Sequence, residues 1–274
     1  MLVKEYRIRL PFVDVEKGNI GQLYTINAMS CENSGGGEGV ELVHNEPFEG
    51  LGTCQGFENY DKGQYTYKIY HIGHRVPSWL RFLLPDNVCE LHEEAWNSYP
   101  YCRSVISNPR FMKKDFYIMH ETFHGTLLTA DTNPHGLTKE ALENLKSENI
   151  DITDVDETSS AYEAKDDPNK FHSEKLNVGP PSSDWWDTAE PMMSVVKLCS
   201  IKFNWGGPLQ GLIEKKLQNV FLTVYKIFYQ KFFCGMDSWL DLTAEDIRQM
   251  ENNGKEEMKK LMKEGQKKTS KVTF

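Results

Sequence analysis

The sequence has no apolar run approaching the roughly 18 residues of a membrane-spanning helix. It has no C-x-x-C pair either: its cysteines, at 31, 54, 89, 102, 199 and 234, are scattered. That spacing argues against a zinc ribbon and favours free thiols in a reducing compartment over a disulfide frame. Met1 to Arg7 carry no signal-peptide pattern and run straight into strand-like alternation. Positive charge is in short supply, with 31 Lys plus Arg against 40 Asp plus Glu and a net −9. Such a chain is a poor general binder of nucleic acid and of anionic membranes, although a local apolar or basic patch can still touch a membrane briefly. The glycines at 35, 36, 37 and 39 lack the Gly-Lys-Ser/Thr ending of a phosphate loop and do not fit G-x-G-x-x-G. They read as a flexible turn.

What is present fills 274 residues, enough for a sizeable core around a cavity. Strand patterns occupy 3–10, 40–45, 64–71, 100–107, 115–123 and 193–204. Short helices are predicted over 19–28, between Pro77 and Pro85, and over 138–146 with Leu142 and Leu145 inward. Residues 49–63 read as an excursion loop, and 150–187 as mostly loop. In the C-terminal third, 209–233 repeats apolar residues with the helical period, among them Leu212, Ile213, Leu217 and Phe221. Thr243 and Asp246 open a last helix as a capping-box-like pair. Its stripe is Ile247, Met250, Met258, Leu261 and Met262, interrupted by Gly254, which costs about 1 kcal/mol relative to Ala. There is no internal repeat and no clean boundary, so we expect one domain over 1–265 and a basic tail at 266–274. Many strands and two long terminal helices predict an α+β fold, a curved antiparallel sheet closed by helices.

Gln64, Thr66 and Lys68 share one face of the 64–71 strand, with Tyr65, Tyr67 and Ile69 on the other. A hydroxyl and an ammonium two residues apart suit a polyol or a phosphate, and they equally suit an ordinary half-solvated strand. His120-Glu121-Thr122-Phe123-His124 matches the H-E-x-x-H zinc signature, whose chemistry needs a helix. Aromatic and β-branched neighbours and the following Gly125 predict a strand instead. There the two histidines lie ~13 Å apart, beyond the reach of one zinc, and read as surface residues. No metal site is expected. Arg103 beside Cys102 can lower the thiol pKa, but no catalytic partner is evident. Trp185-Trp186 fits core or loop packing better than an interface wedge. The Met-rich last helix fits plain packing or a lid over an oily ligand.

Several segments in order resemble the phosphatidylinositol transfer proteins: Leu2-Val3-Lys4-Glu5-Tyr6-Arg7, Gly21-Gln22-Leu23-Tyr24, Asn45-Glu46-Pro47, and Gly63-Gln64-Tyr65-Thr66-Tyr67-Lys68. Others are Glu94-Ala95-Trp96-Asn97 through Cys102-Arg103, Asp167-Pro168-Asn169-Lys170-Phe171, Trp239-Leu240-Asp241-Leu242-Thr243 and Asp246-Ile247-Arg248-Gln249-Met250-Glu251. The resemblance spans nearly the whole chain and is nearest to the soluble single-domain class. It implies a START-like helix grip, in which a sheet and helices hold one phospholipid under a C-terminal lid.

It further implies roles. Thr66, Lys68, Asn97 and Glu251 match residues that hold inositol in the family, and Gln22, Ser104, Thr122 and Lys197 match those near the phosphate. Cys102 matches a cysteine whose alkylation blocks lipid entry, and Ser173 a phosphorylation site. The docking loop, Asn204-Trp205-Gly206-Gly207-Pro208, keeps one tryptophan, Trp205, where the family has a pair. Phe221 falls near a family Glu. The implied ligands are phosphatidylinositol and phosphatidylcholine, carried by a cytoplasmic monomer that meets membranes transiently. No catalytic residue and no cofactor beyond the bound lipid are expected. The runner-up is a START-like carrier or sensor of a sterol, ceramide, phosphatidic acid or sphingomyelin.

Overall fold

In a computed structural model, residues 1–35, 38–50, 60–72, 90–110, 112–126, 128–129, 131–159, 161–204 and 210–263 are described. The Gly36-Gly37 turn, most of the 49–63 loop, the helix expected between Pro77 and Pro85, the Trp205 loop and the basic tail lie outside them. Eight strands form one open sheet in the order β2-β3-β4-β5-β6-β8-β1-β7. They are β1 (Leu2–Pro11), β2 (Gly39–Glu49), β3 (Lys62–His71), β4 (Glu90–Ser98), β5 (Tyr101–Ser107), β6 (Phe116–Gly125), β7 (Lys146–Ile150) and β8 (Met192–Phe203). The helices are α1 (Val15–Glu32), α2 (Lys139–Asn144), α3 (Trp185–Thr188), α4 (Gln210–Cys234), α5 (Met236–Trp239) and α6 (Ala244–Lys263). The fold is α+β, as expected, but the sheet is mixed. The edge strand β7 runs parallel to β1, from Lys4 opposite Lys146 to Ile8 opposite Ile150.

Two strands escape the sequence pattern. β4, ELHEEAWNS, is acidic because it lies between a polar cavity and the outer face, and β7 is a five-residue polar edge. α1 is longer than the predicted 19–28. It starts at Asp14, whose side chain accepts from Lys17 N at 2.7 Å. Its buried face is Gly18, Gly21 and Thr25, so hydrophobic periodicity marks only part of its length. A Cβ at Gly21 would stand 2.7 Å from Phe232 and 2.8 Å from Trp239, and that close approach seats α1 on α4 and α5.

The main core lies between β1, β6, β8 and α4. Tyr6, Ile8 and Leu10 alternate inward from β1 to meet Met193, Val195 and Ile201 of β8, with Phe232 and Phe233 of α4. Trp185 belongs to this core, in line with the packing reading. Two apolar expectations fail: Leu142 of α2 and Leu212 of α4 are 38% and 52% exposed. α6 opens as predicted. Thr243 N donates to Asp246 Oδ2 at 2.8 Å, and Asp246 N to Thr243 Oγ1 at 3.2 Å. Gly254 is buried against α1, where a Cβ would come 2.5 Å from Asn27 Oδ1. The glycine lets α6 close onto α1.

Candidate functional site

The sheet, α1, α4 and α6 surround a cavity of about 450 Å³. Strand register determines its chemistry. Gln64, Asn97, Cys102, Thr122 and Lys197 stand on one rung across β3, β4, β5, β6 and β8. The next rung carries Asn45, Thr66, Ala95, Ser104 and His120. A third carries Leu42, Lys68, Glu93, Ile106 and Ile118. All of these line the cavity, and beyond them Phe116 pairs with Phe203. On the β5-β6 side the wall therefore passes from polar to aliphatic within three rungs. Leu217, Val220 and Val224 of α4 extend the apolar part.

The first rung holds two hydrogen-bonded pairs, Asn97 with Cys102 and Thr122 with Lys197. Cys102 Sγ donates to Asn97 Oδ1 at 3.0 Å, and Gln22 Nε2, from α1, donates to Cys102 Sγ at 3.6 Å. Lys197 Nζ donates to Thr122 Oγ1 at 2.9 Å. It also faces the Tyr225 and Tyr229 rings, 5.3 and 6.0 Å from their centres. Burial lowers the Lys197 ammonium from 10.5 to about 8, against smaller opposing effects of Cys102, Cys199 and Glu93. Among the described residues this amine has one hydrogen-bond acceptor, Thr122 Oγ1, which leaves further N–H groups able to donate.

The eight residues implied for headgroup and phosphate all line this one cavity: Thr66, Lys68, Asn97 and Glu251, and Gln22, Ser104, Thr122 and Lys197. Among the described residues the Thr66 hydroxyl and the Lys68 ammonium have no side-chain partner. Glu251 reaches in from α6. Asn45 Nδ2 donates to its Oε2 at 2.9 Å, and Gln64 Nε2 donates to Asn45 Oδ1 at 2.6 Å. These two hydrogen bonds fasten α6 to the sheet edge beside Thr66.

The sequence reading gave Asn45 no role, and strict alternation from Val40 and Leu42 would turn it outward. A bulge between Leu42 and His44 reverses the phase, placing Asn45 opposite Thr66 and stacking His44 on Tyr67 at 6.0 Å. Glu93, which accepts from Tyr70 OH at 2.7 Å, was missed with its strand.

Two expectations need correction. His120 and His124 do lie on a strand, β6, but both are buried, 8% and 5% exposed. Burial lowers each to about 3, so both are neutral. Cys102 is not activated by Arg103, which reaches Met119 Sδ at 3.4 Å. Burial pushes the thiol up to about 11, outweighing the Gln22 hydrogen bond and the Lys197 charge. Ser173 is fully buried, away from the cavity wall, where it donates to Asp237 Oδ1 and accepts from Leu176 N at 3.1 Å. A kinase could reach it only after the segment opened.

Among the described residues, no group of three or more His, Cys, Asp or Glu side chains could hold a metal ion. No helix there is long and apolar enough to cross a membrane.

The sequence model of the phosphatidylinositol transfer protein family matches residues 1–256. The chain belongs to this family. It is 39% identical over 271 residues to the beta isoform of phosphatidylinositol transfer protein from Mus musculus, covering 97% of this chain and 96% of that one. Phosphatidylinositol transfer protein 1 of Dictyostelium discoideum is 35% identical over 266 residues, covering 96% and 97%. Protein 5 of the same organism is 33% identical, covering 94% and 86%. Membership leaves the particular roles of Gln22, Thr66, Asn97, Lys197 and Glu251 open to experiment.

Proposed function

We propose that this chain carries one phospholipid, phosphatidylinositol or phosphatidylcholine, in its cavity and exchanges it between membranes. The carrying observation is the rung pattern: a hydrogen-bonded polar wall with a buried amine passes directly into an aliphatic wall inside one cavity. Burying each acyl methylene is worth about 0.8 kcal/mol, so two long chains leave water only for such an apolar space. A buried headgroup needs partners of its own, since unpaired polar groups are costly. Gln22, Thr122 and Lys197 donate to the phosphate in both lipids, with Ser104 lining the same end of the cavity. Thr66 and Asn97 exchange hydrogen bonds with inositol hydroxyls, Lys68 donates to them and Glu251 accepts. Choline has no hydroxyl for these four groups. Because Glu251 belongs to α6, inositol binding favours the closed lid.

The cycle needs no chemical step. The protein works as a monomer in the cytoplasm, docking briefly through Trp205, with Cys102 beside the path of lipid entry.

Native mass spectrometry of the purified protein tests the ligand, with a bound mass of either phospholipid expected. A bound sterol or ceramide, or no lipid, refutes the reading. Thr66→Ala or Lys68→Ala is expected to abolish phosphatidylinositol transfer between vesicles and to spare phosphatidylcholine transfer. Equal loss of both would overturn the assigned roles.

A further inference from the structure

His120 is a buried polar group in the cavity wall that the proposed headgroup and phosphate contacts leave unused. Its side chain is 8% exposed and lines the cavity. Nδ1 is 3.4 Å from Ser104 Oγ, while Nε2 is buried with no hydrogen-bond partner among the described residues. Edge-on aromatic rings pack around it, Phe221 at 5.0 Å and Tyr225 at 5.7 Å between centres. Phe221 offers no acceptor, and the Tyr225 hydroxyl, itself buried without a hydrogen-bond partner among the described residues, makes no hydrogen bond to it. Leaving such a nitrogen dry is costly unless a ligand completes it.

Its place along the strand says which part of a lipid that would be. On β6 the inward residues run Thr122, His120, Ile118 and Phe116. Thr122 holds the Lys197 ammonium, and Ile118 and Phe116 begin the aliphatic wall. His120 is thus the last polar side chain before the apolar compartment on that strand. With phosphate at the Thr122–Lys197 rung and acyl chains beyond Ile118, the group level with His120 is the linkage joining them. In a glycerophospholipid that linkage is an ester, and its carbonyl needs a donor when buried. The imidazole is neutral, and the Ser104 hydroxyl can donate to Nδ1, which leaves the proton on Nε2.

We propose that His120 Nε2–H donates to an acyl ester carbonyl of the bound lipid, so that the protein reads the chain linkage as well as the headgroup. This rests on the phospholipid-carrier reading above. It predicts discrimination between diacyl lipids and the matching dialkyl ether lipids, which have the same head and chains but no carbonyl.

The test is competition between diacyl and dialkyl phosphatidylcholine of equal chain length for loading into the protein. The wild type should favour the diacyl lipid by about 3- to 10-fold, the worth of one neutral hydrogen bond. His120→Leu should bring the ratio near one, and His120→Gln, which keeps a donor, should restore part of it. A wild type without preference, or a His120→Leu variant with the full preference, overturns the proposal.

A second measurement needs only the wild type, should His120→Leu not fold. The infrared stretch of a ¹³C-carbonyl diacyl lipid in the protein should show a band displaced to the lower frequency of a hydrogen-bonded ester. Absence of that band overturns the proposal. A protein that loads neither phosphatidylcholine nor phosphatidylinositol fails at the earlier reading, and that result is distinct from loading both linkages equally.

Discussion

Lys197 makes the sharpest quantitative prediction. Burial lowers its ammonium from 10.5 to about 8, and a shift of that size corresponds to about 3 kcal/mol against the charged form. This is an upper figure, because water in a lipid-free cavity relieves part of the burial. The unfolded chain binds the proton more tightly, so the penalty is fully present below pH 8. It fades as pH rises from 8 to 10.5. A phosphodiester beside Nζ, which has Thr122 Oγ1 as its one hydrogen-bond acceptor among the described residues, reverses the shift.

Lys197→Met should therefore stabilise the lipid-free protein at pH 7 by up to about 3 kcal/mol. That is a rise in melting temperature of several degrees. The advantage over wild type should shrink steadily between pH 8 and 10.5, which cancels the titration of every other group. The same variant should lose transfer of both phosphatidylinositol and phosphatidylcholine. Wild-type affinity for either lipid should fall above pH 8, by at most about tenfold per unit for one proton. Thermal melts of stripped and loaded protein at several pH values provide the readout. A lipid-free Lys197→Met protein less stable than wild type at pH 7, or a difference that does not change with pH, would refute the reasoning.

Three further outcomes follow from particular contacts. Gly254→Ala should destabilise the protein by about 1 kcal/mol, because the new Cβ meets Asn27 Oδ1. In an Asn27→Ala background the same change should stabilise by up to about 1 kcal/mol through helix propensity. Chemical denaturation of the four proteins measures whether the sign changes. Asn45→Ala frees Glu251 from its 2.9 Å contact; vesicle assays should show phosphatidylinositol transfer reduced about five- to tenfold, with phosphatidylcholine transfer near wild type. Ser173→Glu forces a second carboxylate against Asp237 in a fully buried site, so calorimetry should show a loss of about 2–4 kcal/mol. An unchanged melting temperature would mean that this side chain is more accessible than its contacts imply.

The site was legible wherever chemistry is local. Alternation along 64–71 put Thr66 and Lys68 on one face, and Thr243 with Asp246 announced the lid helix, because both are properties of neighbouring residues. The H-E-x-x-H segment was separated from zinc chemistry by its β-branched and aromatic neighbours. Resemblance along the chain then named partners that spacing could not have brought together.

Other features were hidden for identifiable reasons. α1 buries Gly18, Gly21 and Thr25, so the apolar pattern showed only its 19–28 segment and not its full length. β4 carries Glu90, Glu93 and Glu94 and no β-branched residue, so no strand pattern marks it. Arg103 is next to Cys102 in sequence, yet desolvation outweighs nearby charge and raises the thiol to about 11.

The sequence by itself determined most of the elements, the family and the residue types that a charged headgroup requires. Tertiary structure alone decided the rest, because register and burial are made between segments far apart in the chain. Pairing of β5, β6 and β8 aligned Cys102, Thr122 and Lys197 on one rung. One bulge in β2 turned Asn45 inward to hold Glu251. Closure of α4 over β6 left His120 Nε2 buried beside the aliphatic wall, with no hydrogen-bond partner among the described residues.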